Sequence, residues 1–225
     1  MKKEQNNRGR LAGKRILVTA GPTHEKIDPV RFIGNYSTGK MGYAVAEACA
    51  AEGAEVLLVS GPVSLSVSNQ AIKRYMVNTA AEMASRCLAL FPRCDAGILT
   101  AAVADFTPSR KSERKIKRQG DRWMLELRPT RDIAAELGRS KNNGQILAGF
   151  ALETDDELNN AREKLKRKNF DFIVLNSLND RGAGFGFDTN KVTILEKDNK
   201  HRIFELKSKK EVARDIVDKL LEYVG

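Results

Sequence analysis

The stretch from Arg15 to Ser60 does most to limit what this chain can fold into. Arg15 to Thr19 leads a short apolar run, the pattern of a strand buried on both faces of a parallel sheet. From Lys40 to about Glu52, Met41, Ala44, Val45 and Ala48 recur at helical spacing, and Gly53 stands just past the end as a stop. Glu55 to Ser60 is a second buried strand. Strand, helix and strand make a βαβ unit. Its right-handed crossover places the first connecting loop at the carboxyl end of the sheet, where ligands bind in doubly wound folds.

That loop nearly spells a phosphate-binding motif and then departs from it. Gly34 to Lys40 satisfy G-x-x-x-x-G-K, but the next residue is Met41, which has no hydroxyl to hold a magnesium ion. A P-loop also opens directly after its strand, whereas twelve residues separate Gly21 from Gly34. The physics of anion binding survives the failed motif. Gly34, Gly39 and Gly42 allow close backbone approach, Ser37 and Thr38 offer hydroxyls, and a helix starts at about Lys40 with its first amides unpaired. The sequence therefore predicts an anion site of another design.

The alternation continues downstream. Thr79-Ala-Ala-Glu82 is a capping box opening a helix to about Leu90, and a strand follows from Ala96 to Ala101. Ile146 to Phe150 reads as a strand, Thr154 to Glu157 as a cap for a helix to Lys168, and Phe172 to Leu175 as a further strand. Ser208-Lys-Lys-Glu211 starts a terminal helix with Val212, Ile216, Leu220 and Tyr223 inward. Two regions break the pattern. Val192 to Glu196 and Arg202 to Leu206 flank Asp198-Asn-Lys, the signature of a hairpin. Pro108 to Arg122 carries seven basic and two acidic residues, reads as a mobile basic flap, and leads into a predicted strand from Trp123 to Arg128. The expected fold is α/β: a Rossmann-like three-layer α/β/α arrangement with a mostly parallel sheet, a C-terminal hairpin and the flap. Residues 1–13 are expected to form a flexible basic tail and 14–225 a single domain.

Composition removes several classes. Hydrophobic content of 41% and charged content of 30% describe a soluble globular chain, and no apolar run approaches the roughly 18 residues a membrane span needs. Met1 to Arg10 has no apolar core of a signal peptide, so a cytoplasmic location without membrane association is expected. Cys49, Cys87 and Cys94 are odd in number and read as small buried hydrophobes; His24 and His201 lie too far apart in the chain to suggest a zinc site. The net charge of +10 suits either nucleic acid or small polyanions. The basic residues have no aromatic interleaving and no DNA-reading motif, and the loop motifs favour polyanionic small molecules over nucleic acid.

The run from Thr19 to Gly42 resembles the signature of phosphopantothenoylcysteine synthetase, a ligase of coenzyme A biosynthesis. The resemblance continues, in the family's order, at Ser60-Gly-Pro-Val63, Ala101-Ala-Val-Ala-Asp-Phe106, Lys115-Ile-Lys117, Gly149-Phe-Ala-Leu-Glu-Thr154 and Lys164 to Asn169. It implies that the carboxylate of 4′-phosphopantothenate attacks the α-phosphorus of CTP, and that the amine of L-cysteine then displaces CMP. Such chemistry needs positioning and charge neutralisation rather than a protein nucleophile. That accords with the lack of any Ser-His-Asp or Cys-His set.

The resemblance also implies roles for particular residues. Asn35 and Lys115 are the implied catalytic residues, Asn35 at the acyl centre and Lys115 against charge developing on the α-phosphate. Ser37, Gly39, Asp105, Lys115, Arg131, Asp132, Ile133, Ala134, Phe150, Lys164 and Lys168 are the implied nucleotide-binding set. Asn35, Ala101 and Ala102 contact the substrate, and Asp105 is the implied ligand for a Mg2+ ion accompanying CTP. The family's Asn-Pro-Asp-Ile is here Thr130-Arg131-Asp132-Ile133, a departure centred on Arg131. Taken singly, these residues have plainer readings: Asn35 as a turn residue, Asp105 as a loop cap, Phe150 as core, and Lys164 with Lys168 as a solvated helix face.

The family precedent further implies a homodimer and no flavin in this chain. The flavin-dependent decarboxylase that is often fused to such a domain is a candidate partner, whether separate from this chain or joined to it. Two rival classes share part of the pattern. A nicotinamide-dependent oxidoreductase needs a compact G-x-G-x-x-G turn and an acidic residue after the second strand, where Ser60-Gly61 stands here. A nucleic-acid-binding module shares only the charge.

Overall fold

The computed structural model describes residues 9–118, 120–177 and 186–224. Its elements run β1 (Arg15–Ala20), β2 (Glu25–Lys26), β3 (Phe32–Ile33), α1 (Lys40–Ala51), β4 (Glu55–Ser60), β5 (Ile72–Met76) and α2 (Ala80–Leu90). There follow β6 (Ala96–Leu99), β7 (Phe106–Pro108), β8 (Leu127–Pro129), α3 (Ile133–Ser140), β9 (Ile146–Glu153) and α4 (Glu157–Arg167). The chain closes with β10 (Phe172–Ser177), β11 (Thr189–Glu196), β12 (His201–Ser208) and α5 (Lys209–Val224).

One eight-stranded sheet holds the domain together, in the order β12-β11-β10-β9-β6-β1-β4-β5. From β5 to β10 every neighbour is parallel, while β11 and β12 return antiparallel as the expected hairpin. Numbered among themselves, the parallel strands stand 3-2-1-4-5-6, the doubly wound order whose reversal falls between β1 and β6. Side chains alternate across the sheet as the pleat requires. Ile16 and Val18 enter a core with Val45, Cys49, Val212 and Ile216 of α1 and α5. Leu17 enters the opposite core with Met83, Leu137 and Leu165 of α2, α3 and α4. Each such fully buried side chain stabilises the fold by roughly 1.5–3 kcal/mol.

The three-layer α/β/α architecture and the hairpin are as the sequence predicts; several details differ. α1 turns a different face inward: Gly42, Val45, Ala46 and Cys49 are buried, while Met41, Ala44 and Ala48 are half-buried at the edge. Tyr43 and Ala50 are buried as well, so the helix is rotated from the face its apolar spacing suggested. β6 stops at Leu99 rather than Ala101, which frees the next residues for the loop. The strand expected from Trp123 to Arg128 is shorter and later, β8, pairing with β7; Trp123 stands half exposed before it. The box at Thr154 does not cap α4. The N-cap is Asp156, in the left-handed region at φ 39°, without a side-chain cap. Edge strand β5 and helix α3 escape the sequence reading, β5 because its Lys73 and Arg74 face outward and α3 because it is only eight residues long.

Of the tail expected over residues 1–13, residues 1–8 lie outside the described residues, and the rest is tied to the domain. Leu11 is fully buried in the core, and Arg10 binds Glu52 (Nη2 to Oε1, 2.7 Å) and Asp218 (2.8 Å), lacing the C-terminus of α1 to α5. All three cysteines are free and buried. Burial pushes the thiols of Cys49 and Cys87 up to about 12, which keeps them protonated and inert.

Two glycines fix the start of α1. Gly39 caps it in the left-handed region at φ 77°, where a side chain would be strained. Gly42 lies so close to β1 that a Cβ there would stand 2.4 Å from Thr100 Oγ1 and 2.5 Å from Ala20 Cβ. Gly42→Ala must therefore push the helix off the strand end. Overpacking of this kind costs about 1–3 kcal/mol, and a urea melt of the variant is expected to show its midpoint lowered accordingly; an unshifted midpoint would contradict this packing.

Candidate functional site

At the reversal between β1 and β6 the chain leaves a crevice, and the structure fills its rim with polar groups. Three threonine hydroxyls fasten the loop after β6 to the end of β1. Thr19 Oγ1 accepts from Ala101 N–H (3.2 Å), Thr23 Oγ1 accepts from Ala104 N–H (2.9 Å), and Thr100 Oγ1 donates to the Thr19 carbonyl (2.6 Å). Pro22 and Ala102 form a parallel bridge beside them. On the far side, Thr130 Oγ1 donates to the Ala104 carbonyl (2.7 Å). Ala101 to Asp105 is thus a rigid ridge, not a free loop.

Two cavities flank this ridge and share Ala101, Val103, Asp105, Phe150 and Lys164 as their common wall. The first, about 340 Å³, adds Asn35, Ser37, Gly39 and Ala102, with Asn176, Asn190 and Lys209 at its back. The second, about 430 Å³, adds Arg131, Asp132, Ile133, Ala134 and Lys168. Every residue of the implied catalytic, nucleotide-binding and substrate sets lies on one of these walls except Lys115, which stands exposed on the flap; Gly34 of the expected anion site lines neither cavity.

Asn35 Nδ2 donates to the Ala102 carbonyl (2.9 Å), which ties the loop before α1 to the ridge at the wall of the first cavity. Ser37 Oγ accepts from Gly39 N–H at 3.4 Å, beside the N-terminus of α1, where unpaired amides and the helix dipole favour an anion. Lys40 does not act as a P-loop lysine. Its ammonium binds Asp188 (2.7 Å), away from the turn.

The second cavity is bounded by α3 and α4. Asp132 caps α3 by accepting from Ala135 N–H (3.0 Å), and its other oxygen pairs with Lys168. Arg131, just before α3, pairs with Glu136 of that helix, so its charge is already engaged at the rim. Lys164 on α4 and Lys168 at its C-cap, one turn apart, both line the cavity rather than a solvated face. Burial lowers the pKa of Lys164 against the pull of Glu153 and Asp105, and burial lowers Lys168 against that of Asp105. These ammonium groups gain most from an incoming anion because they have little water to lose.

Asp105 is the only carboxylate on the shared wall, and among the described residues no group of three His, Cys, Asp or Glu side chains converges on a metal position. A single exposed carboxylate fits a magnesium ion brought in by phosphates, which keeps most of its waters. It does not make a protein-built metal cage.

The sequence reading missed Asn176, Asn190 and Lys209, as well as the threonine fasteners. Asn176 and Asn190 sit at the facing ends of β10 and β11, and the amide oxygen of each has no partner among the described residues. A buried asparagine at a strand terminus was the available signal. Lys209 was hidden inside a capping box, where it counted only as a helix start; Ser208 and Glu211 do form that box.

Fold and site together define a doubly wound α/β domain with a basic, anion-accepting crevice at its switch point. The family model described as "DNA/pantothenate metabolism flavoprotein C-terminal domain" matches residues 11–224, and the chain belongs to that family. It is 49% identical over 210 residues to the coenzyme A biosynthesis bifunctional protein CoaBC of Bacillus subtilis (strain 168), covering 93% of this chain and 52% of that protein. A relative from an unknown prokaryotic organism, named cysteine/cysteine sulfinic acid decarboxylase, is 58% identical over 214 residues, covering 95% of this chain and 60% of that one. The chain thus spans little more than half the length of these curated relatives. The crystal structure of the C-terminal domain of a CoaBC protein superposes with a TM-score of 0.81 at 41% identity, covering 95% of this chain and 97% of that one.

If the half-buried Lys164 ammonium holds an anion, affinity for a nucleoside triphosphate will fall as pH rises, beginning below the ordinary lysine value of about 10.4. The sign follows from the lowered pKa: the charge is lost earlier than on an exposed lysine. Calorimetric titration at increasing pH is expected to show this limb in the parent protein and its loss in Lys164→Gln.

Proposed function

We propose that this chain is a phosphopantothenate–cysteine ligase acting in coenzyme A biosynthesis, with CTP as the activating nucleotide. The observation that carries the reading is the convergence of scattered motifs. Residues from four separate stretches, around positions 35, 105, 132 and 164, line two cavities divided by one ridge. The CoaBC relatives support the same reading through their names.

In this reading the second cavity takes the nucleoside and the first takes the acyl substrate, so that the α-phosphate falls over the ridge between them. Phe150 borders the base, Ile133 and Ala134 the nucleoside, and Asp132, Lys164 and Lys168 its polar groups. Asn35, held by Ala102, orients the 4′-phosphopantothenate carboxylate. A carboxylate oxygen attacks the α-phosphorus, the bond to the β,γ-phosphates breaks, and pyrophosphate leaves an acyl cytidylate. The amine of L-cysteine then attacks the acyl carbon, CMP departs with the former carboxylate oxygen, and the amine proton passes to solvent. Lys115 neutralises charge in the first step. A Mg2+ ion held at Asp105 would shield the triphosphate. Neither step uses a flavin.

Pyrophosphate is expected only when nucleotide and phosphopantothenate are both present, and amide only when cysteine is added; CTP and ATP are compared directly. No turnover with either nucleotide, or oxidation of NADH instead, sinks the assignment. The decarboxylase name of one relative favours a second reading, and release of CO2 from cysteine would support it.

Within the ligase reading, Lys115→Gln is expected to slow pyrophosphate formation in rapid-quench experiments without cysteine by roughly 10²–10³, the usual effect of losing one preorganised donor. Lys111→Gln and Lys117→Gln should cost less. Equal losses for all three would reduce the segment to general electrostatic attraction.

We also propose a homodimer. Val30, Phe32, Phe106, Met124 and Leu127 are exposed along β2–β3 and the β7–β8 ribbon, which pack together. Light scattering at micromolar concentration is expected to give twice the monomer mass of 25.0 kDa; the monomer mass itself would count against this.

A further inference from the structure

The flap is basic enough to repel itself, yet the backbone beside Lys115 is held on both sides. Ile116, between Lys115 and Lys117, has both main-chain groups bound by the turn that follows β2. Its N–H donates to Asp28 Oδ2 (3.1 Å), and its carbonyl accepts from Arg31 Nη2 (2.8 Å). Asp28 and Arg31 are themselves an ion pair, with Arg31 Nε donating to Asp28 Oδ2 (3.0 Å). The Asp28 side chain is fully enclosed, and its other oxygen accepts from the N–H groups of Val30 and Arg31 (2.8 Å each). The Arg31 guanidinium, chiefly, with these amides, holds the carboxyl well below the usual range. Arg31 also lies over the Trp123 ring at 4.6 Å, and Ser112 N–H donates to the Ile27 carbonyl (2.9 Å).

A carboxylate that only capped its own turn would need the Val30 and Arg31 amides and nothing more. Asp28 reaches 88 residues along the chain to the amide beside Lys115. The same β1–α1 connection carries Asn35 and Ser37 a few residues on. The clamp therefore joins the flap to the loop that forms the first cavity.

We propose that Asp28 is a positioning residue: with Arg31 it clamps the Ile116 peptide and so fixes where the Lys115 ammonium is delivered. The inference rests on the ligase reading above. It makes the flap a tethered arm, in which Lys115 swings from a fixed backbone point while the rest of the basic segment follows. Asp28→Asn is a selective probe. The retained amide oxygen still accepts from Val30 and Arg31, but an NH2 group can replace the acceptor facing Ile116 N–H, and the ion pair is lost.

Hydrogen exchange is expected to show the Ile116 amide exchanging faster in Asp28→Asn, with the amides of β1 and β6 unchanged. Single-turnover pyrophosphate formation should fall on the order of 10²-fold, what a 1 Å misplacement costs, with KM for the nucleotide little altered. Adding Asp28→Asn to Lys115→Gln should cost nothing further, because a residue acting through Lys115 has no effect once Lys115 is gone. Additive losses in the double variant, a loss carried by KM alone, or unchanged Ile116 exchange would overturn the proposal. An inactive parent protein would instead sink the ligase reading, and the exchange measurement would still decide whether the clamp exists.

Discussion

A right-handed crossover cannot cover the carboxyl end of a strand whose neighbour sends its own crossover to the opposite face. β1 passes to α1 on one side of the sheet and β6 passes on to α3 on the other, so the space above their ends stays open. Everything chemical in this molecule is arranged around that gap. The Thr19, Thr23 and Thr100 bonds turn the Ala101–Asp105 segment into a ridge across it. The close approach at Gly42 brings the N-terminus of α1 to its edge.

The charge of the site follows from its burial. A chain with a net charge of +10 has basic groups almost everywhere, but most are solvated and screened. Lys164 and Lys168 differ because the walls of α3, α4 and β9 remove their water and lower their pKa values. A solvated lysine exchanges water for phosphate at nearly equal free energy; a partly dried one does not. The flap is the complementary case. Its lysines are exposed, so its contribution depends on where the backbone is held, and the Asp28–Arg31 pair supplies that hold.

Much of this was legible in the sequence because it rests on local pattern. The apolar runs of β1, β4 and β10, the Thr79 and Ser208 caps and the β11–β12 hairpin each follow from period or turn chemistry over a few residues. The failures are local too. Charged Lys73 and Arg74 hid an edge strand, and a left-handed Asp156 took the capping place expected of Thr154. The basic composition of the first residues also hid Leu11, which enters the core.

The sequence by itself determined the doubly wound class, the glycine- and hydroxyl-rich loop before α1 and, through family motifs, many of the residues that line the crevice. Periodicity and turn residues carry that information within about a dozen positions. Tertiary structure alone decided which lysines are dry, that Arg131 is spent on Glu136, and that Asn176, Asn190 and Lys209 back the first cavity. It also decided that Asp28 meets Ile116 across the chain. Contacts between residues so far apart depend on strand order and crossover side, and no stretch of sequence encodes those by itself.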